Sequence, residues 1–134
     1  MNFVSIRIIT KDIKRLVGFY ETVLGLKPVW LTEEFAELPT PSSTIAVGSE
    51  RTMALFGQGA AHGADNHTVI VEFLVENVDG DYARMKQSLH DVVQEPTTMP
   101  WGNRSLLFRD PDGNLVNLFT PVAEPALTKY AVKR

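Results

Sequence analysis

The chain has 134 residues, 44% hydrophobic and 22% charged, the size and composition of one globular domain rather than a disordered segment. Thirteen Lys and Arg against sixteen Asp and Glu leave a formal charge of −3, so there is no basic footprint for a phosphate backbone, and nucleic acid is not an expected partner. The absence of cysteine excludes disulfides, thiol catalysis and thiolate-held metals. No apolar run approaches the ~20 residues that span a bilayer, and the N-terminus carries no signal-peptide pattern, so no membrane partner is expected and the expected location is cytoplasmic.

Asn2 to Ile9 is rich in β-branched residues and reads as a strand. Its residues alternate: Val4, Ile6 and Ile8 are uniformly aliphatic and should lie under a helix, whereas Phe3, Ser5, Arg7 and Ile9 form a mixed face suited to a cavity wall. Lys11 to Leu24 is that helix, with Thr10 as its cap. Ile13, Leu16, Val17, Tyr20, Val23 and Leu24 form one stripe, and Gly25 ends it. Three strands should follow, over Lys27 to Thr32, Phe35 to Leu38 and Thr44 to Gly48. A Pro-Thr-Pro-Ser-Ser turn joins the last two.

Residues 50–66 break this pattern, with glycines, two histidines and a small apolar knot, Met53 to Phe56, and read as a connector. The order then repeats. Thr68 to Val75 is a strand, Asn77 caps a helix running to about Leu89, and three strands cover Val92 to Met99, Arg104 to Arg109 and Leu115 to Thr120. The last two are joined by Asp110-Pro111-Asp112-Gly113-Asn114, whose Asp and Asn side chains suit bonds to the turn backbone. A tail follows, with a helical turn expected at Ala126 to Val132. The sequence therefore predicts an α+β chain of two βαβββ modules: module one 1–49, connector 50–66, module two 67–122 and tail 123–134. Asp12 and Asp79 are expected at equivalent helix starts.

Two segments carry a family resemblance. IRIITKDIKRLVGFYETVLGL, from Ile6 to Leu26, resembles the opening of vicinal oxygen chelate proteins, and FRDPDGNLVNLFTP, from Phe108 to Pro121, resembles their closing motif. This superfamily includes glyoxalase I, extradiol dioxygenases and bleomycin-resistance proteins. The resemblance implies curved mixed sheets that enclose one cup, helices on the outside, and a homodimer. In metal-using relatives a divalent ion sits in the cup on His, Gln or Glu from four strands. Those positions fall here on Ser5, Ile70, Asn117 and Ala46, or Ala54 if the connector supplies the strand. Such a set offers at most two weak donors, so no metal and no cofactor is expected.

If Ser5 faces the cup, so does Arg7, and by the same alternation Glu72 faces it beside Ile70. Arg7 and Glu72 are expected to meet as an ion pair on the cup floor, because a lone buried charge is costly. Alternatively Arg7 anchors a ligand anion, or Glu72 acts as a base. The remaining expected lining is Trp30, Phe35, Met53, Phe56, Trp101, Arg104, Phe108 and Asn117, with pairing to Asp110 or Asp112 as the plainer role for Arg104.

The leading expectation is a metal-independent binder of a small apolar or aromatic molecule. The alternatives are a metal-free isomerase, epimerase or lyase with Glu72 as base and Arg7 or Asn117 stabilising an oxyanion, a metal-dependent glyoxalase- or dioxygenase-like enzyme, or a module whose cup is closed by side chains.

Overall fold

The computed structural model describes residues 1–131. The chain divides into two compact units, Met1–Asn66 with Pro111–Gly113, and His67–Asp110 with residue 114 onward.

In the first unit β1 (Ser5–Thr10) leads into α1 (Ile13–Leu24), followed by β2 (Val29–Thr32), β3 (Phe35–Pro39), β4 (Thr44–Ser49) and a 3-10 turn over Glu50–Leu55. The sheet order is β1-β4-β3-β2. β1 pairs parallel with β4, Arg7 opposite Ala46, and β3 pairs antiparallel with both β4 and β2. α1 starts two residues later than the pattern predicts. Asp12, not Thr10, is its cap and accepts from Arg15 N at 3.1 Å, while Thr10 Oγ1 accepts from Asp12 N at 3.2 Å and fixes the approach to the cap. Its buried stripe is Ile13, Leu16, Val17, Tyr20 and Val23, and Gly25 closes it at φ 68°. Ala36, Leu38, Ile45 and Val47 are buried on one face of the sheet, where β4 meets α1. The tip of the turn after β7, residues 111–113, sits in this unit: Arg15 Nη2 donates to Pro111 O at 2.7 Å and lies 3.6 Å from Asp112.

The second unit repeats the order with β5 (Ile70–Leu74), α2 (Val78–Met85), β6 (Val92–Thr98), β7 (Asn103–Arg109) and β8 (Leu115–Pro121), in the sheet order β5-β8-β7-β6. α2 is shorter than predicted, because the chain tightens into a 3-10 turn at Lys86–Ser88. Its cap is Asn77, whose side chain accepts from Gly80 N at 3.1 Å. Asp12 thus matches Asn77, not Asp79, which lies inside the first turn of α2. Two bonds fix the face that α2 covers: Thr120 Oγ1 accepts from Val78 N at 2.9 Å, and Arg104 Nε donates to Asp79 Oδ2 at 2.8 Å. Arg104, Leu106 and Phe108 alternate onto that face, as do Val116, Leu118 and Thr120. The Asp110 carboxylate accepts from both Asn114 N at 3.0 Å and Asn114 Nδ2 at 2.8 Å, the bonding that the turn residues predict.

The tail forms α3 (Ala126–Lys129); of the turn expected to reach Val132, the end lies outside the described residues. Tyr130 rests on Phe119, ring centroids 5.1 Å apart. Gly102 makes this approach possible. It sits at φ 96°, and its carbonyl accepts from Val122 N and Ala123 N at 2.8 and 3.1 Å. Among the described residues no helix is long and apolar enough to cross a membrane.

Two stability predictions follow from this packing. Gly102→Ala forces a side chain into the left-handed region and into Ala123 O, so a loss of about 2 kcal/mol or more is expected in urea unfolding. Phe108→Ala opens a fully buried site and should cost about 3–5 kcal/mol, whereas Phe56→Ala, at a side chain exposed to 69%, should cost less than about 1 kcal/mol in the same assay.

Candidate functional site

In the first unit, register and alternation decide which side chains share a face. Arg7 lies opposite Ala46, Ala46 opposite Glu37, and Glu37 opposite Val29, which makes one row across the sheet. Ile9, Gly48 and Phe35 form the next row on the same face, and Ser5 and Thr44 the previous one. Arg7 Cζ lies 4.9 Å from the centroid of the Phe35 ring and 5.5 Å from that of Phe56. Contacts of this kind stabilise an exposed cation by roughly 0.5–1 kcal/mol each. The two rings come from different elements. Phe35 opens β3, and Phe56 leaves the 3-10 turn with its N–H, like that of Gly57, donating to Met53 O at 3.1 and 2.8 Å.

Of the expected lining in this unit, the structure gathers Ser5, Arg7 and Phe35 on one face and brings Phe56 to it. Met53 is buried at the turn and positions Phe56 through its carbonyl. Trp30 lies opposite Ala36, in register with Val47 and Ile8, on the other face, and is 43% exposed. Its place on the Arg7 face is taken by Val29. Glu37 was not expected there; reading β3 in phase with β4 would have found it. Within this unit's described residues, no carboxylate lies within salt-bridge range of Arg7.

In the second unit the matching row is Glu72, Asn117, Leu107 and Gln94. Asn117 Nδ2 donates to Glu72 Oε2 at 2.8 Å, and the buried Asn117 Oδ1 has no hydrogen-bond partner. The amide of a residue nine-tenths buried thus holds the carboxylate of an exposed one. Ile70 precedes Glu72 on the same face, opposite Leu115. Phe119 follows Asn117 on it, covered by Tyr130, an aromatic of the tail that sequence reasoning did not place in the site.

Two expected lining residues lie elsewhere. Phe108 is fully buried on the α2 face, and Arg104 is on the same face, its guanidinium bound to Asp79 rather than to Asp110 or Asp112. The hydrogen bond to Asp79 pushes the Arg104 pKa above its already high ordinary value, with burial opposing it and the charge of the Asp79 carboxylate adding to it. Trp101 sits exposed in the loop before β7, beside Gly102, whose N–H donates to Met99 O at 2.9 Å.

The metal positions implied by the resemblance can be tested by donor chemistry. Ala46 and Asn117 are matched by register, since each is the β-bridge partner of the corresponding residue of the first strand of its unit, Arg7 and Glu72. Ser5 and Ile70 precede those two residues by one step on the same face. Ile and Ala have no lone pair to offer, and Ser and Asn are weak neutral donors, so this set does not fit a divalent transition metal. Among the described residues there is also no cluster of three His, Asp or Glu able to hold one.

Comparison with known proteins bears on the fold as a whole. Residues 2–118 match the Glyoxalase/Bleomycin resistance protein/Dioxygenase superfamily. The uncharacterized protein YraH of Bacillus subtilis (strain 168) is 30% identical over 125 residues, which cover 89% of this chain and 98% of YraH. A crystal structure of a glyoxalase/bleomycin resistance protein/dioxygenase from Nocardioides superposes with a TM-score of 0.76 at 21% identity, over 92% of this chain and 85% of that one. A family enzyme of the same description from Burkholderia phytofirmans PsJN gives 0.76 at 18% identity, over 88% and 97%. The α+β fold of paired βαβββ repeats, the opening and closing motifs and the family match agree: this chain belongs to the glyoxalase/bleomycin resistance protein/dioxygenase superfamily.

Proposed function

We propose that this chain is a small-molecule binder that takes an apolar or aromatic guest on the Arg7 face of its first unit, without the help of a metal ion. One observation carries the reading: a phenyl ring exposed to 69%, Phe56, stands at the same guanidinium as the half-buried ring of Phe35. Leaving so much apolar surface in water is unfavourable, at about 25 cal/mol per Å², and a flat guest laid against the rings removes that cost. The weak donor set at the family's metal positions supports binding over metal-assisted chemistry. The superfamily's description, which includes bleomycin resistance, is compatible with capture without bond breaking.

A second reading is favoured by a separate observation. Asn117 fixes one oxygen of Glu72, so the carboxylate is oriented as a proton-abstracting group would need to be. In this reading the chain is a metal-free isomerase, epimerase or lyase.

The two readings make different demands. Titration with neutral 2-naphthol, followed by amide chemical shifts, should perturb the resonances of Arg7, Phe35 and Phe56, and Phe56→Ala should weaken binding about tenfold, or about 1.4 kcal/mol. Unchanged affinity in that variant contradicts the binding reading. For the enzyme reading, Glu72→Gln should abolish any turnover found in a racemisation and isomerisation screen while the melting temperature stays within a few degrees; full turnover in the variant removes Glu72 as base.

A further inference from the structure

We infer that the guest of the Arg7 face carries a carboxylate and that the rim of the Arg7 guanidinium grips it. The inference rests on the binding reading above and names the chemistry of its ligand.

A guanidinium has five N–H donors in its plane and no acceptor. Phe35 and Phe56 meet that charge with ring faces, 4.9 and 5.5 Å from Cζ. Ring faces attract a cation but supply no lone pair along an N–H direction. Within the first unit's described residues no carboxylate oxygen lies in salt-bridge range of Arg7. The side chain is therefore held in place by contacts that leave its hydrogen-bonding capacity unspent within the unit. A planar carboxylate matches that fork with two parallel bonds, a geometry that also fixes the direction of whatever the carboxylate is attached to. A guest so held would lay its body against the two rings.

The same face argues against a dianion. Ser5, Ala46, Gly48, Phe35 and Val29 share it and none is cationic, while Glu37 stands two strands from Arg7 on the same row. Strands repeat at roughly 4.8 Å, so that carboxylate is about 10 Å away, near enough to oppose a doubly charged phosphate and to tolerate a monoanion. An organic monocarboxylate with an apolar or aromatic body fits these constraints.

The test compares four probes of one shape by calorimetry and by the Arg7 side-chain N–H resonance: 2-naphthoate, 2-naphthamide, 2-naphthol and 2-naphthyl phosphate. The expected result is that naphthoate binds at least tenfold more tightly than naphthamide and shifts the Arg7 Nε–H resonance downfield. Arg7→Gln should abolish the preference, and Arg7→Lys, which keeps the charge but not the fork, should retain only part of it. Because Arg7 is exposed, both variants should fold, and the comparison on the unaltered chain stands without them. Equal affinity for naphthoate and naphthamide overturns the inference but leaves the aromatic binder intact. Tighter binding of the phosphate overturns the assignment to a carboxylate. Binding of none of the four overturns the binding reading and the inference with it.

Discussion

Strand alternation, locked by the pairing of β1 with β4 and of β5 with β8, is the constraint on which the site depends. A side chain's face is set by its position along the strand, and a slip of one residue would move every member of the row to the other side. The registers put Arg7 beside Ala46 and Glu72 beside Asn117, at corresponding positions of the two repeats. The repeats thus carry opposite charges at one structural address and accommodate them differently. The arginine is met by two aromatic rings, and the carboxylate by an amide N–H. Each solution follows from the neighbours: Ala46 is too small and apolar to meet a charge, so rings from β3 and the 3-10 turn fill the role, whereas Asn117 can donate directly.

Alternation also explains what could be read from the sequence and what could not. The order of the elements was legible because each boundary had its own chemistry: the aliphatic stripe of α1, Gly25 at its end, and the Asp110 to Asn114 turn. The Arg7 face was legible because β1 alternates cleanly between aliphatic and mixed residues. Residue type alone assigns Phe108, Arg104 and Trp30 to a pocket, as aromatics and a cation, although Phe108 and Arg104 are out of phase with Asn117 once β7 is set opposite β8. Trp30 sits next to a register shift in β2, which no periodicity reveals. The Asp79–Arg104 pair joins a helix to a strand and is long-range, so local pattern carries no sign of it. The same holds for Tyr130, whose ring reaches Phe119 only after Val122 and Ala123 have bonded to the Gly102 carbonyl and the chain has turned into α3.

Membership of the superfamily fixes the scaffold and leaves the chemistry open, because function resides in the side chains that the scaffold presents. At the positions that the family resemblance implies for a metal, this chain has an isoleucine, an alanine, a serine and an asparagine. What the sheet faces offer instead is a guanidinium between rings in one unit and an oriented carboxylate in the other. Both are suited to organic guests, the first through stacking and paired hydrogen bonds, the second through a directed acceptor.

The most direct measurement is a crystal structure of the protein grown with 2-naphthoate in a buffer containing manganese. The account predicts electron density for the naphthyl ring against Phe35 and Phe56, with both carboxylate oxygens within hydrogen-bond distance of the Arg7 guanidinium, and no anomalous peak at Ser5 or Asn117. A manganese ion held by Ser5 or by Asn117, or naphthoate lodged away from the Arg7 face, would contradict it.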